Sequence, residues 1–334
     1  FSYFTGYQHK ILDTIDESKI ELFLNHIREV IANNNTNIYN FILDWVAYVI
    51  QNPTGKTGIC VVITGGQGTG KNAFSDVICN LMKRYSNPNV SNMDNVVGKF
   101  NCAIENKKLI VCNELSSIET NKFLNSDALK AVITELFLDI NQKNEPVRTI
   151  ENVVNLIFLS NHFIPVHVEE DDRRYFMTET SDKHKGDIDY FDRLFKSYED
   201  ESFYSNLLTF FMKRDISNFN PRHIPMTNTK RDVLNASKTS YRLFIEEYIN
   251  EFSDEKGFNC SSAFEYFKSF CSSNGFVSCA SNKLGVNISR YVDRKRVRID
   301  KKLEWRYFLK PDFKIDDENN DDILDLDSTA NVPI

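Results

Sequence analysis

The segment Gly65-Gly66-Gln67-Gly68-Thr69-Gly70-Lys71-Asn72 constrains this chain more than any other. Glycine adopts positive φ without steric cost, so such a loop can turn its backbone N–H groups inward around an anion. Ile59–Thr64 ahead of it is β-branched and apolar and reads as a buried strand. The stretch after it, to about Tyr85, reads as a helix. Gly65, Gly70 and Lys71 fit the GxxxxGK spacing of a phosphate-binding loop. Loop amides and the helix N-terminus would hold phosphate oxygens, and Lys71 would reach the β- and γ-phosphates. A chance glycine-rich turn would require neither the lysine nor the flanking strand and helix. Candidate nucleotide ligands are Gly66, Gln67, Gly68, Thr69, Gly70, Lys71, Asn72 and Ala73. Asn72 stands where the motif expects Ser or Thr, whose hydroxyl ligates Mg2+; an amide oxygen would take that place or hold a metal-bound water.

Three further segments carry candidate chemistry. Leu109-Ile110-Val111-Cys112-Asn113-Glu114 is an apolar strand ending in an acid, the Walker B arrangement, with Glu114 as general base. Asn113 occupies the place of the usual metal-side Asp, so the expected metal shell is Asn72, Asn113 and Glu114, with phosphates and water. Strand ends are often acidic, so the position after a phosphate loop is what gives Glu114 its weight. Leu156–Asn161 is a third strand, and Asn161 is either a γ-phosphate sensor or a strand-end turn residue. Asp171-Asp172-Arg173-Arg174-Tyr175 reads as a loop. Arg173 or Arg174 would be an arginine finger acting on a neighbouring subunit, or both would form a salt-bridge cluster with the adjacent acids.

Residues 18–31 read as an amphipathic helix with a Ser18/Glu21 capping box, and 38–51 as a buried helix ended by Pro53 and Gly55. Lys108–Cys112 and Val153–Ser160 read as strands, 122–136 as a helix, and 137–150 as a hairpin with Lys143 and Arg148 at its tip. That tip either grips nucleic-acid phosphates or is a solvated turn. Strands alternating with helices predict an α/β fold, a parallel sheet covered on both faces. After Thr180 the pattern turns helical, with Pro221 and Pro225 in a linker. Helices at 241–252, 261–273 and 282–292, then alternating residues at 294–309, suggest a winged helix.

The net charge of −7 is unevenly placed. Residues 312–334 hold eight acids and one base, leaving 39 acids against 39 bases elsewhere. Residues 281–310 carry ten Lys/Arg and three acids. This basic module would bind duplex or single-stranded nucleic acid through Lys283, Arg290, Arg294, Lys295, Arg296 and Arg298, or contact another domain. The acidic tail reads as disordered, solvent-exposed chain, with partner docking or DNA mimicry as the other reading. Seven cysteines without a CxxC pair suggest reduced thiols in an intracellular, non-secreted protein, mostly buried and holding no zinc. No apolar run reaches the roughly 20 residues that span a bilayer.

The order of these motifs resembles that of superfamily 3 helicases. It is most similar to the helicase domain of the primase–helicase family of poxviruses, other large DNA viruses and phages. The resemblance rests on Trp45-Val46-Ala47, Gln51-Asn52-Pro53, Gly66–Asn72, Gly98-Lys99-Phe100-Asn101, Asn113-Glu114, Leu159-Ser160-Asn161-His162 and Asp172-Arg173-Arg174-Tyr175. It implies an AAA+ P-loop core, ATP and Mg2+ at subunit interfaces, a homo-oligomeric ring (usually a hexamer), and unwinding of forked DNA by translocation along one strand. It also implies Lys143 on a channel hairpin, a trans-acting Arg173 or Arg174, and a primase module preceding Phe1; a replicative DNA polymerase is a further candidate partner. The host-cell cytoplasm or a viral replication site is the expected location. The expected organisation is an N-terminal helical segment (1–51), the AAA+ core (52–185), a helical linker (186–240), a basic winged-helix-like domain (241–311) and the tail (312–334). Other functions remain open: an AAA+ ATPase that remodels or packages DNA, an RNA helicase, or a non-hydrolysing scaffold ring.

Overall fold

The computed structural model describes residues 4–113, 124–161, 172–236 and 239–313. Glu114, His162 and the tail beyond Phe313 lie outside them. Two compact units divide the chain, 1–237 and 238–334.

The first unit opens with a short 3-10 turn, helix α1 (Glu21–His26) and a wide π turn over Ile27–Ile31. The expected single helix over 18–31 is thus broken, and Ser18 is not its cap. Asp16 is the capping residue, accepting from the Ser18 N–H and hydroxyl at 3.1 and 2.6 Å. Helix α2 (Thr36–Gln51) starts where Asn35 accepts from the Ile38 N–H. Strand β1 (Cys60–Thr64), helix α3 (Lys71–Met82), strand β2 (Ser86–Val90), helix α4 (Asp94–Val97) and strand β3 (Leu109–Asn113) follow. Helix α5 (Leu124–Thr134) leads to a hairpin, β4 (Phe137–Ile140) and β5 (Arg148–Glu151), then β6 (Asn155–Ser160) and β7 (Tyr175–Glu179). Helices α6 (Ile188–Tyr198), α7 (Phe203–Lys213) and α8 (Asn228–Ala236) complete the unit.

Five strands form one parallel sheet in the order β2-β3-β6-β1-β7. Alternation within fully buried strands gives each face its own core. Val61, Ile63, Val111, Ile157 and Phe176 pack with α1, α2, α3 and α7. Cys60, Val62, Cys112, Phe158 and Met177 pack on the other side with α4, α5 and α8. The N-terminal helices therefore share a core with the sheet.

Several residues behind the resemblance turn out to tie the scaffold. Trp45 donates to Thr57 at 3.3 Å. Gln51 donates to the Phe211 and Arg214 carbonyls at 2.7 and 2.8 Å, closing the end of α7. The buried Lys108 ammonium takes the Asn52 carbonyl at 2.8 Å and that of Gly55. Burial pushes Lys108 down to about 7. Asn101 donates to the Asp139 carbonyl and accepts from the Asn141 N–H, both at 2.9 Å, which fixes the base of the hairpin.

The second unit contains α9 (Ser240–Glu247), α10 (Ile249–Ser253), β8 (Phe258–Asn259), α11 (Cys260–Ser273), α12 (Ser281–Ile288), β9 (Val292–Ile299) and β10 (Lys302–Leu309). Its antiparallel sheet runs β8-β10-β9. The third helix ends at Ile288, short of 292, because Val292 already pairs with Leu309. Asp300 and Lys301, at φ +47° and +69°, make the two-residue turn that matches strand twist. Phe244, Phe252, Phe267, Ile288 and Tyr307 form the core.

Candidate nucleotide-binding site

Parallel pairing sets Thr64 opposite Ser160 on one side and Glu179 on the other, and Asn113 opposite Leu159. The carboxyl ends of β1, β3, β6 and β7 thus meet at one edge, where open parallel sheets bind ligands. Gly65, Asn113, Asn161 and Thr180 stand there.

The loop leaves β1 with Gly65 at φ +139°, turns at Gly68 (+78°), and enters α3 at Gly70 (+98°). The Lys71 ammonium folds into it, donating to the Gly65 and Gly66 carbonyls at 2.7 Å each. Thr69 donates to the Gly66 carbonyl at 3.0 Å. The Thr180 hydroxyl lies 2.9 Å from that of Thr69 and 3.2 Å from the Thr64 carbonyl. A Cβ at Gly65 would sit 2.0 Å from Thr180 Oγ1, so β7 and the loop leave no room for a side chain. Gln67 and Gly68 are exposed, as is Asn72 in the first turn of α3, while Ala73 is buried.

His26 supports the loop from behind. Its Nε2 lies 3.0 Å from the Gly70 carbonyl and its Nδ1 3.0 Å from the Tyr190 hydroxyl. A carbonyl only accepts, so Nε2 carries the proton and Nδ1 accepts from Tyr190. Burial pushes this imidazole down to about 4, against the pull of the Gly70 carbonyl, and keeps it neutral. His184 stacks on Tyr190 at 3.7 Å and meets Glu29 at 3.0 Å. Lys185 closes the far side: a Cβ on Gly66 would lie 2.8 Å from its Nζ. Thr180, His26 and Lys185 were not found from sequence, because no local spacing connects them with the glycine loop.

Asn113 donates to Asn89 Oδ1 at 3.1 Å, while its own Oδ1 is buried without a partner among the described residues. An orphaned acceptor at the carboxyl edge of the sheet, one strand removed from the glycine loop, suits a water held by Mg2+, so this part of the expected shell fits the ion. Glu114, the expected base, lies outside the described residues. Asn161 is exposed one residue beyond β6, between Asn113 and Gly65 in strand order.

Arg173 and Arg174 stand elsewhere. Tyr175 pairs with Cys60 at the start of β1, and the Arg174 carbonyl accepts from the Cys60 N–H at 2.8 Å. That is the amino edge of the sheet, about 15 Å from the loop at roughly 3.3 Å per residue. Arg174 Nη1 pairs with Asp172 at 3.0 Å, whereas Arg173 is exposed. The segment expected as loop through Tyr175 becomes a buried edge strand from that residue on.

Lys143 is exposed in the β4–β5 turn. Arg148 is not at the tip. It opens β5 and is clamped by Glu105 at 2.9 and 2.6 Å and by Glu145 at 2.7 Å, so its charge is neutralised within the hairpin base. In the second unit Arg294 and Arg296 lie over the half-exposed Trp305 ring, 4.6 and 5.9 Å from its centre. Arg294 and Trp305 border a groove of about 980 Å³ lined also by Ser281, Gly285 and Val286 of α12 and by Ser289 just beyond it. Lys283 lies in the first turn of that helix and Arg290 two residues beyond its end.

Four of the seven cysteines are buried. No described helix is long and apolar enough to cross a membrane.

A protein family described as of unknown function, DUF5906, matches residues 63–174, which run from the end of β1 to the arginine pair. The DNA primase-polymerase of Nitratiruptor phage NrS-1 is 30% identical over 159 residues, 45% of this chain and 22% of that protein. The chain therefore matches about a fifth of the length of this relative. The C-terminal region (305–718) of NrS-1 in its apo structure superposes with a TM-score of 0.69 at 18% identity, over 91% of this chain and 78% of that one. A second apo structure of the same region, the A form, gives 0.67 at 18% identity over 91% and 77%. The chain thus shares its mixed α/β fold, built on a parallel central sheet, with the C-terminal region of NrS-1.

Proposed function

We propose that this chain is the ATP-hydrolysing motor part of a phage or viral DNA replication protein, a superfamily 3 helicase with an AAA+ core. One observation carries the proposal: Lys71 sits within a loop of left-handed glycines at the carboxyl end of a central parallel strand. That is a pre-shaped anion cradle with its cation in place. The ammonium, now on two loop carbonyls, would exchange them for β- and γ-phosphate oxygens. The amides of Asn72 and Asn113 would hold Mg2+ together with phosphate oxygens and water, and the ion would supply positive charge to the phosphates. Asn161 would orient the terminal phosphate, and Glu114 would take the proton of the attacking water. Placement of Arg173 and Arg174 at the opposite edge favours a finger for the neighbouring subunit of a ring, a hexamer in the usual form.

DNA would be gripped by Lys143 on the hairpin tip. The second unit has the order two helices, short strand, two helices and two-stranded wing, which supports a winged helix. Lys283, Arg290, Arg294 and Arg296 are its candidate phosphate contacts. The name of the NrS-1 relative, a phage primase-polymerase, supports a role in DNA replication.

The test is ATP turnover with and without single-stranded DNA for wild type, Lys71→Ala and Glu114→Gln. DNA-stimulated turnover lost in both variants is the expected result. Turnover that survives Lys71→Ala would sink the proposal. The amides Asn72 and Asn113 favour a second reading, a non-hydrolysing scaffold ring, which would show ATP binding without turnover in any variant.

A further inference from the structure

A nucleotide bound to this loop would have a defined direction. Its terminal phosphate would face Lys71 and the sheet edge at Asn113 and Asn161, and its α-phosphate the N–H groups of Asn72 and Ala73 in the first turn of α3. The nucleoside would then leave past that turn, and aromatic side chains of α6 pack beside it. Ala73 is buried against Tyr190 and Leu194, with Leu22 and Phe191 packed partly buried beside it. The Phe191 ring reaches the end of the loop beside His26: a Cβ at Gly70 would lie 2.6 Å from His26 Cε1 and 3.0 Å from Phe191 Cε1. One turn further along α6, Phe195 stacks on Phe191, with centroids 6.0 Å apart and planes 27° apart. Phe195 is 49% exposed, flanked in sequence by Arg193, Leu194 and Lys196. A half-exposed phenylalanine on a helix whose core positions are Tyr190 and Leu194 contributes little to that core.

We infer that Phe191 and Phe195 are the seat of the nucleotide base, which stacks on the aromatic step beside Ala73. The inference rests on the nucleotide reading of the loop and adds the subsite that reading lacks. Every base has a π face, so a stacking seat tolerates different bases and holds the wider purines more tightly than pyrimidines. Its ligand class is a purine nucleoside triphosphate.

The test uses the full chain and two ligands, Mg-ATP and Mg-tripolyphosphate, titrated calorimetrically into wild type, Phe195→Ala, Phe195→Tyr and Lys71→Ala. Phe195 is half in solvent, so its truncation leaves the fold intact; a thermal melt checks this, and Phe191→Leu provides a second variant. The expected result is an affinity for ATP lower by about tenfold in Phe195→Ala, from the energy of one base–aromatic stack. Phe195→Tyr should restore it, and tripolyphosphate should bind all but Lys71→Ala equally. Equal losses for both ligands, or no loss for ATP, would overturn the base seat while leaving the phosphate loop standing. A wild type that binds neither ligand would remove the nucleotide reading, and the seat with it.

Discussion

His26 makes the stability of the first unit depend on pH between about 4 and 6.5. The ring is fully buried, with Nε2–H on the Gly70 carbonyl and Nδ1 facing Tyr190. Burial holds it at about 4, against about 6.5 in an unfolded chain. A histidine whose folded value is depressed stabilises the native state fully above the unfolded value. That contribution is lost as pH falls from about 6.5 towards 4. The whole shift corresponds to about 3 kcal/mol, of which about 2 kcal/mol is gone by pH 5. Glutamine keeps an N–H donor for Gly70 and does not titrate, so His26→Gln should lose about 2 kcal/mol less than wild type between pH 7 and pH 5. Urea unfolding at both pH values, with the midpoints compared, reads the difference. Parallel pH slopes for the two proteins, or a His26 ring that titrates in NMR near 6.5, would refute the argument.

Other perturbations test the loop and its supports. Gly65→Ala and Gly68→Ala both meet positive φ, but only Gly65 faces Thr180 at 2.0 Å while Gly68 faces open space. Gly68→Ala should cost about 1 kcal/mol and retain ATP binding, whereas Gly65→Ala should cost at least twice that and abolish binding, by thermal melt and calorimetry. Asn113→Asp turns the donor on Asn89 into a second acceptor, so it should destabilise the ligand-free protein by about 1–2 kcal/mol, with stability regained in millimolar Mg2+. Lys108→Met leaves the Asn52 and Gly55 carbonyls without their donor, and a loss of about 2–3 kcal/mol in urea midpoint is expected with ATP affinity unchanged. This loss should be larger at pH 6 than at pH 9.5 only if wild-type Lys108 titrates outside its depressed range. A lysine held near 7 loses stability as pH falls from its unfolded value of about 10.4, so the wild-type advantage should instead be greater at pH 9.5.

What could be read from sequence was contiguous, and what could not was brought together by the sheet. The glycine loop lies within eight residues, so its strand, turn and helix were legible. β2 was missed because Ser86–Val90 contains Pro88 and two asparagines and shows no apolar run. Proline is tolerated there because β2 is the edge strand of the sheet, paired with β3 alone among the described residues. β7 was missed because its leader, Asp172-Arg173-Arg174, looks like a surface turn. Thr180 was lost with it, although that residue is what forbids a side chain at Gly65. Trp45, Gln51 and Asn52 were recognised as a pattern, but their work of tying α2 to Thr57, α7 and Lys108 required the third dimension.

The arginine pair shows what topology adds to a reading along the chain. Arg173 and Arg174 follow β6 closely in sequence, yet the sheet does not bring them to the glycine loop of their own chain. The parallel register is the reason: Tyr175 pairs with Cys60, and Thr64 with Glu179. Arg174 thus begins the strand whose far end abuts the loop. Its backbone is fixed by Cys60 and its guanidinium by Asp172, so it cannot cross about 15 Å to its own site without unzipping β7. Arg173 is exposed beside it, one residue further from β7. If either arginine meets phosphate, the phosphate belongs to another copy. Mixing Arg173→Ala with Lys71→Ala should then restore turnover that neither variant shows alone, because one interface in the mixed ring joins an intact loop to an intact arginine. No recovery across all mixing ratios, with ring mass unchanged, would leave both arginines as supports of the sheet edge.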